Sequence, residues 1–457
     1  MEDRFDVLII GGGQAGIPLA RALAKAGRKV ALAERKQLGG SCVNFGCTPT
    51  KAAIASARVA YLARRAADYG IAVGEVRVDF PKVLARARDI AAMSRQNLGG
   101  AFEHGGDPTL IHGHARFTGK AGRDFRLDVE GREVLAREVV LDTGTRSIVP
   151  PIENLADIDI ITSENWLDHA ELPRHLVIVG GGYIGLEMGQ FYRRMGSEVT
   201  IVQLDAQVAG HEDRDVAKAL QKILESEGIR FRLRASAKSV RRLVGGFALS
   251  IESGDKPEEI QATHLFVATG RRPNTDALGL EAIGITPTDK GNIEVDERLR
   301  TREKGLWAVG DIRGGPMFTH TSWDDFRILE SQMLGDGSRT LERVVPYAIF
   351  TDPQLGRVGM TENDARLQGR KIKVGRFEMK HSGKAKELGE TQGFIKVVVD
   401  AGSGKILGAA VLAEEAAELV HLYVELMNAD APYTVMKRAI HVHPTLAEAA
   451  QSALASL

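Results

Sequence analysis

Cysteine is nearly absent, for the 457-residue chain has only Cys42 and Cys47. Two are too few for a disulfide-stapled secreted scaffold or a thiolate zinc site. In a reducing cytosol a pair five positions apart is either inert or catalytic. Net charge is missing as well. Lys plus Arg and Asp plus Glu number 60 each, so no positive field draws nucleic acid or an anionic membrane to the surface, and a small-molecule substrate is favoured. No apolar run approaches the length of a membrane span, and Arg58, Arg64 and Arg65 break the longest Ala-rich stretch. Met1-Glu2-Asp3-Arg4-Phe5 leads straight into the apolar Val7 to Ile10, without a basic region, apolar signal core or cleavage site. These absences predict a soluble, cytoplasmic protein.

What is present is ordinary core material, 44% hydrophobic and 26% charged residues. The length exceeds what one hydrophobic core supports, so two to four domains are expected. The 50 glycines exceed average usage and point to close backbone approaches in ligand-cradling turns.

Asp6 to Glu34 reads as strand, glycine turn, helix, strand: Val7 to Ile10, then Gly11-x-Gly13-x-x-Gly16, an apolar-periodic helix to Gly27, and Lys29 to Glu34. Glycine is required at the tight turn, where a pyrophosphate meets backbone at the helix N-terminus, and where helix presses on strand. The pattern recurs at Leu176 to Val179, Gly180-x-Gly182-x-x-Gly185, a helix to Gly196, and Glu198 to Gln203. One such turn is weak support. Two copies, each between strand and helix and each with its second strand ending 18 residues past the last glycine, predict two bound dinucleotides. The shared register sets Gln203 where Glu34 stands. The carboxylate that favours an unphosphorylated ribose is missing there, which tilts the second fold toward NADPH and leaves NADH open, since Asp205 follows closely.

The cysteines lie in Gly39-Gly40-Ser41-Cys42-Val43-Asn44-Phe45-Gly46-Cys47-Thr48-Pro49-Thr50-Lys51. On an ideal helix residues five apart have Cα atoms roughly 8.7 Å apart, beyond the roughly 7 Å limit for a disulfide. A bonded pair therefore needs a distorted backbone, which Gly46 can supply. Pro49 suits the first turn of a following helix, whose N-terminal dipole would stabilise Cys47 as a thiolate.

At these residues the chain resembles the class I pyridine nucleotide-disulfide oxidoreductases, the family of dihydrolipoamide dehydrogenase, glutathione reductase and mercuric reductase. Their cysteine motif departs here only by Ser41 for threonine. Further matches are Gly182 to Glu187, Ala268 to Asn274, Trp307 to Asp311, and His443-Pro444-Thr445-x-x-Glu448. The resemblance implies an enzyme that passes electrons from NAD(P)H through FAD to a Cys42/Cys47 disulfide and on to a small acceptor. By the same resemblance Cys47 is the flavin-side sulfur and Cys42 the exchange thiol. Lys51 and Glu187 form an ion pair under the flavin, Tyr183 gates the nicotinamide, and Asp311 binds the FAD ribitol. His443, oriented by Glu448, is the acid/base that reaches Cys42 of the partner subunit in a homodimer. Gly11, Gly13, Gly16, Glu34, Gly40, Ser41, Lys51, Thr143, Gly144 and Asp311 are expected to line the FAD site. Gly180, Gly182, Tyr183, Gly185, Gln203 and Gly270 are expected at the NAD(P) site.

The fold class expected is α/β, with two Rossmann-like domains and a C-terminal α+β dimerisation domain. The FAD domain is expected to span 1–150 and 273–343, the NAD(P) domain 151–272 and the dimerisation domain 344–457. Long helices are expected from Thr50 to Gly70 and from Pro81 to Leu98. His112 and His114 alternate and would share one face of a strand, but no third ligand is evident and no metal site is expected. The substrate is a small disulfide, an oxidised metal ion or a thiol-reactive species. Alternatives are a dihydrolipoamide dehydrogenase, a mercury(II) reductase without the C-terminal cysteine pair, a redox-sensing flavoprotein without turnover, and transfer from flavin to oxygen or a quinone.

Overall fold

The computed structural model describes residues 3–104, 106–254 and 256–457. Its first sheet has seven strands. Asp3–Ile10 lies between Val30–Glu34 and Arg132–Leu141, parallel to both, and Thr109–His112 extends the sheet on the far side of Val30–Glu34. Asp124–Val129 and Ala115–Ala121 continue it antiparallel, while Leu306–Ala308 returns from far along the chain to pair with Arg132–Leu141. The near-continuous Val/Leu/Ile run of Asp3–Ile10 is what burial on both faces demands. Helix α1 (Gly16–Lys25) packs Ile17, Leu19, Ala20 and Leu23 against Val7, Ile9 and Leu32. Burying each large aliphatic side chain contributes about 1.5–3 kcal/mol.

Next come α2 (Gly40–Asn44), α3 (Cys47–Arg64) and α4 (Phe80–Gly99). The helix expected from Thr50 thus starts three residues earlier, at Cys47, and its end is a separate short 3-10 turn, Ala66–Tyr69. Asp79 caps α4 by accepting the Lys82 amide, with Pro81 in the first turn.

The second glycine pattern builds a five-stranded, wholly parallel sheet from Arg230–Leu233, Glu198–Gln203, His175–Val179, His264–Val267 and Ile160–Thr162. It carries α5 (Tyr183–Met195) and α6 (Arg214–Ser226). A three-stranded antiparallel sheet spans residues 235–262. Thr145–Ser147 pairs with Arg271–Pro273 where the chain leaves and re-enters the first unit. After α7 (Thr319–Leu334), five antiparallel strands between Pro346 and Ala413 form the last sheet.

Buried ion pairs join the three units. Arg194 of α5 bonds Asp352 and Glu227, Arg58 of α3 reaches Asp352 and Glu390, and Arg357 bonds Glu212. Losing one partner would strand a buried charge, at a cost of about 3–5 kcal/mol, so these pairs fix how the units sit around the site. The paired-histidine expectation fails at Gly113, whose φ of +149° turns the chain after the strand ends at His112. His114 lies outside the strand, its Nε2 against the Ala277 carbonyl.

Candidate functional site

The cysteine loop is two helices meeting at a corner. Cys42 lies in α2 and Cys47 is the first residue of α3, with Gly46 between them at φ −94°. A Cβ on Gly46 would stand 2.8 Å from the Ser41 carbonyl, so close approach of backbone is what demands glycine here. Asn44 donates to the Gly40 carbonyl at 2.8 Å and the Leu38 carbonyl at 3.1 Å, and receives Arg95 of α4 at 3.1 Å. Trp166, fully buried, donates its indole N–H to the Phe45 carbonyl at 2.8 Å. The loop is thereby held from both nucleotide folds.

The two cysteines are free thiols. The neighbouring Cys42 thiol lowers the Cys47 thiol to about 6, helped by the Lys51 charge and the Thr319 hydroxyl and opposed by burial. The Thr319 oxygen lies 3.2 Å from the Cys47 sulfur. Cys42 is pushed up by its neighbour Cys47 and by burial. The pair therefore titrates as a unit, the first proton leaving Cys47 while Cys42 keeps its own. The position of Cys47 at the start of an 18-residue helix acts in the same direction.

One turn along α3, Lys51 bonds Glu187 of α5 at 2.7 Å. The other Glu187 oxygen accepts the Phe350 amide at 2.9 Å, and the Lys51 ammonium lies 4.5 Å from the Phe350 ring. Tyr183 begins α5 beside Phe318, and burial raises its phenol to about 12. Phe318 is stacked between His320 and Tyr347, at centroid distances of 5.3 and 5.4 Å. Burial lowers the pKa of His320, whose Nε2 lies 2.7 Å from the Pro346 carbonyl.

All of this faces one cavity of about 2040 Å³. Gly11, Gly13, Glu34, Gly40, Ser41, Cys42, Cys47, Lys51, Thr143, Gly144, Tyr183, Glu187 and Asp311 line it together. Gly16 sits behind the wall, where a Cβ would meet the Gly11 carbonyl at 2.4 Å. Outside this cavity lie Gly180 and Gly182 in the turn after His175–Val179, Gly185 in α5, Gln203 at the end of Glu198–Gln203 and Gly270 after His264–Val267.

The first cradle fits a dinucleotide. Gly11, at φ +108°, turns the chain so tightly that a Cβ would meet the Asp142 carbonyl at 2.2 Å. Glu34 accepts the Gly12 and Lys36 amides at 2.8 and 2.7 Å. At the other end Thr145 donates to Asp311 at 2.9 Å and accepts from Arg271 at 2.9 Å, and burial raises the Asp311 carboxyl. In the second cradle Gly180 repeats Gly11, with a Cβ 2.3 Å from the Ala268 carbonyl, while at Gly182 no atom of the described residues other than its chain neighbours lies within 4 Å of that position. Open space at the middle glycine is what an approaching phosphate requires. Gln203 accepts the Gly181 amide at 2.7 Å and donates to Asp205 at 2.8 Å.

His443 and Glu448 come together away from the cavity. His443 Nδ1 lies 3.0 Å from a Glu448 oxygen, and Glu448 is held low by the Thr445 amide and by His443. The imidazole is 78% exposed, near exposed Ile440 and Val442. Asp142, Trp166 and Arg95 belong to none of the motifs read from the sequence. Among the described residues no group of three or more His, Cys, Asp or Glu is arranged to hold a metal ion, and no helix is long and apolar enough to cross a membrane.

Comparison with known proteins agrees with this geometry. Residues 5–325 match the family model described as pyridine nucleotide-disulphide oxidoreductase, and residues 345–454 match its dimerisation domain. A dihydrolipoyl dehydrogenase of Cupriavidus necator is 34% identical, over 99% of this chain and 98% of its own. The probable pyridine nucleotide-disulfide oxidoreductase RclA of Escherichia coli is 32% identical, over 98% of both. A solved structure of the Cu(II) complex of RclA, titled an HOCl-induced flavoprotein disulfide reductase, superposes with a TM-score of 0.89 at 31% identity over the whole of both chains.

Proposed function

We propose that this chain, which belongs to the pyridine nucleotide-disulphide oxidoreductases, reduces a small disulfide or thiol-reactive acceptor at Cys42. It is an enzyme that uses FAD and NAD(P)H, with a domain of the family's dimerisation type. The observation that carries the reading is the meeting of Cys42, Cys47 and the Lys51–Glu187 pair on one cavity wall. The first cradle, with Asp311, is the FAD site, and FAD supplies the two-electron relay between nicotinamide and sulfur. The units are assigned as 1–150 with 273–343, 151–272, and 344–457, in line with the return of Leu306–Ala308 to the first sheet.

The chemistry at sulfur follows from the thiol pair. Deprotonated Cys42 attacks one sulfur of the substrate disulfide, forming a mixed disulfide and expelling a thiolate. Cys47, ionised above about pH 6, then attacks the Cys42 sulfur, closing the Cys42–Cys47 bond and releasing the second thiolate. Cys42 holds its proton firmly, so a base must take it. The pair of His443 and Glu448, exposed beside an apolar face, suits delivery from a second copy, where the imidazole accepts this proton and returns it to the leaving thiolate. Lys51, held by Glu187, keeps a positive charge near the Cys47 sulfur. Tyr183 covers the α5 end of the cavity.

Asp205, bonded to Gln203 at 2.8 Å, counts against a 2′-phosphate, so NADH is the reductant to test first, beside NADPH. A dithiol working with so few cysteines suits a reducing cytosol. The Cupriavidus relative supports a second reading, dihydrolipoamide dehydrogenase. Steady-state assays with lipoamide, glutathione disulfide, Hg(II) and Cu(II) separate these, and turnover of all four by Cys42→Ser would remove the dithiol from the mechanism. The long-wavelength thiolate-to-flavin absorption of the two-electron-reduced enzyme should be full above pH 7 and fade as pH falls through about 6. A band unaltered well below that pH would exclude Cys47 as its source.

A further inference from the structure

We propose that Asp142 is a proton-bearing contact for the FAD pyrophosphate, so that retention of the cofactor weakens as pH rises. The inference rests on the assignment of FAD to the first cradle.

Asp142 directly follows the strand Arg132–Leu141, is 7% exposed and lines the cavity. One oxygen, Oδ2, accepts the Gly16 amide at the start of α1 at 2.8 Å. The other, Oδ1, takes no hydrogen bond from the described residues and lies 3.1 Å from where a Cβ on Gly310 would stand. A Cβ on Gly13 would be 2.5 Å from Oδ2. The carboxyl is thus wedged between the glycine turn and the Gly310-Asp311 turn, the two backbone segments that face the cofactor.

The molecule contains its own control. Gly11 presses on the Asp142 carbonyl and the Thr143 amide, as Gly180 presses on the Ala268 carbonyl and the Thr269 amide. Positions 142 and 268 are therefore equivalent, each followed by Thr-Gly, and the second cradle is built with alanine. The turn does not need a carboxyl there. Its presence in the first cradle calls for a reason connected with the ligand.

The surroundings decide its charge. Asp311, Asp325 and Glu34 face it from the turn after Ala308, from α7 and from the end of Val30–Glu34. The nearby cations are committed elsewhere, Arg313 and Arg343 to Asp325 and Arg271 to Thr145 and Ser163. Burial raises the Asp142 carboxyl well above the ordinary carboxylate range, the Gly16 N–H opposes this, and the three acids add to it. A dianionic pyrophosphate on the same helix N-terminus acts in the same direction, and a neutral carboxyl can donate a hydrogen bond to a phosphate oxygen where a carboxylate would repel it.

The sign follows from linkage. Protonated Asp142 binds FAD better, so affinity is full while the flavin-free protein is protonated there. Above that pH it falls, by up to about tenfold per pH unit for one linked proton. Flavin fluorescence after dilution of the holoenzyme, from mildly acidic to alkaline pH, reads this directly. Wild type should lose FAD increasingly with pH. Asp142→Asn, which can still accept the Gly16 amide, should give a flat profile, and Asp142→Ala, copying Ala268, the same flat profile should Asn fail to fold. Parallel profiles for wild type and variants would overturn the proposal while leaving the FAD assignment intact. Purified protein with no flavin would overturn both.

Discussion

The two glycine cradles share a backbone and differ in how they are closed. In the first, Glu34, Leu38 and Asp142 crowd the turn, and a Cβ added at Gly12 or Gly13 would stand within 2.8 Å of Leu38 or Asp142. In the second, the turn opposite Gly182 is clear, and the strand end carries Gln203 bonded to Asp205. A cofactor kept through every turnover suits a cradle sealed by side chains, while a reductant that enters and leaves suits an open one. The register of the fold is common to both, and retention or exchange is set by the few side chains around it.

The largest test of this contrast separates delivery from use of electrons. Cys42→Ser should lower disulfide reduction at least about a thousandfold yet leave single-turnover flavin reduction by NADH intact, because the second cradle lies apart from the thiol loop. Loss of both would show that the units are not separable. A smaller effect is expected from paired glycine changes. Gly13→Ala must displace Asp142 and should strip flavin from the purified protein, whereas Gly182→Ala should keep flavin and raise the KM for NADH about tenfold by blocking approach to backbone. Equal flavin content in the two variants would break the comparison. The smallest effect lies at the ribose. Asp205→Asn should shift the ratio of kcat/KM for NADH over NADPH by about tenfold toward NADPH, the worth of about 1.4 kcal/mol, and an unchanged ratio would leave Gln203 without its proposed partner.

Much of the site was legible because its chemistry is tied to short spacing. Strand, glycine turn and helix fall where Gly11 to Gly16 and Gly180 to Gly185 place them, and the strand Glu198–Gln203 has the expected bounds. Helix ends were less legible. The helical stretch near the C-terminus is interrupted at Val420, into Ala416–Leu419 and His421–Asn428, with no glycine or proline there to mark the break. Trp166 and Arg95 were invisible because nothing local distinguishes a buried indole that ties down a distant carbonyl from one that merely fills a core. Thr319 lies 272 residues from Cys47 and touches it only after the chain has crossed between units twice.

Sequence alone determined the number of nucleotide folds, the thiol pair and the order of the parts, since each is encoded within about one strand–turn–helix unit, where backbone geometry permits few alternatives. Tertiary structure alone decided which thiol ionises first, the burial of Asp142 among other acids and the partners of Gln203. Those properties depend on burial and on charges brought from remote segments, and neither can be read along a chain until it is folded.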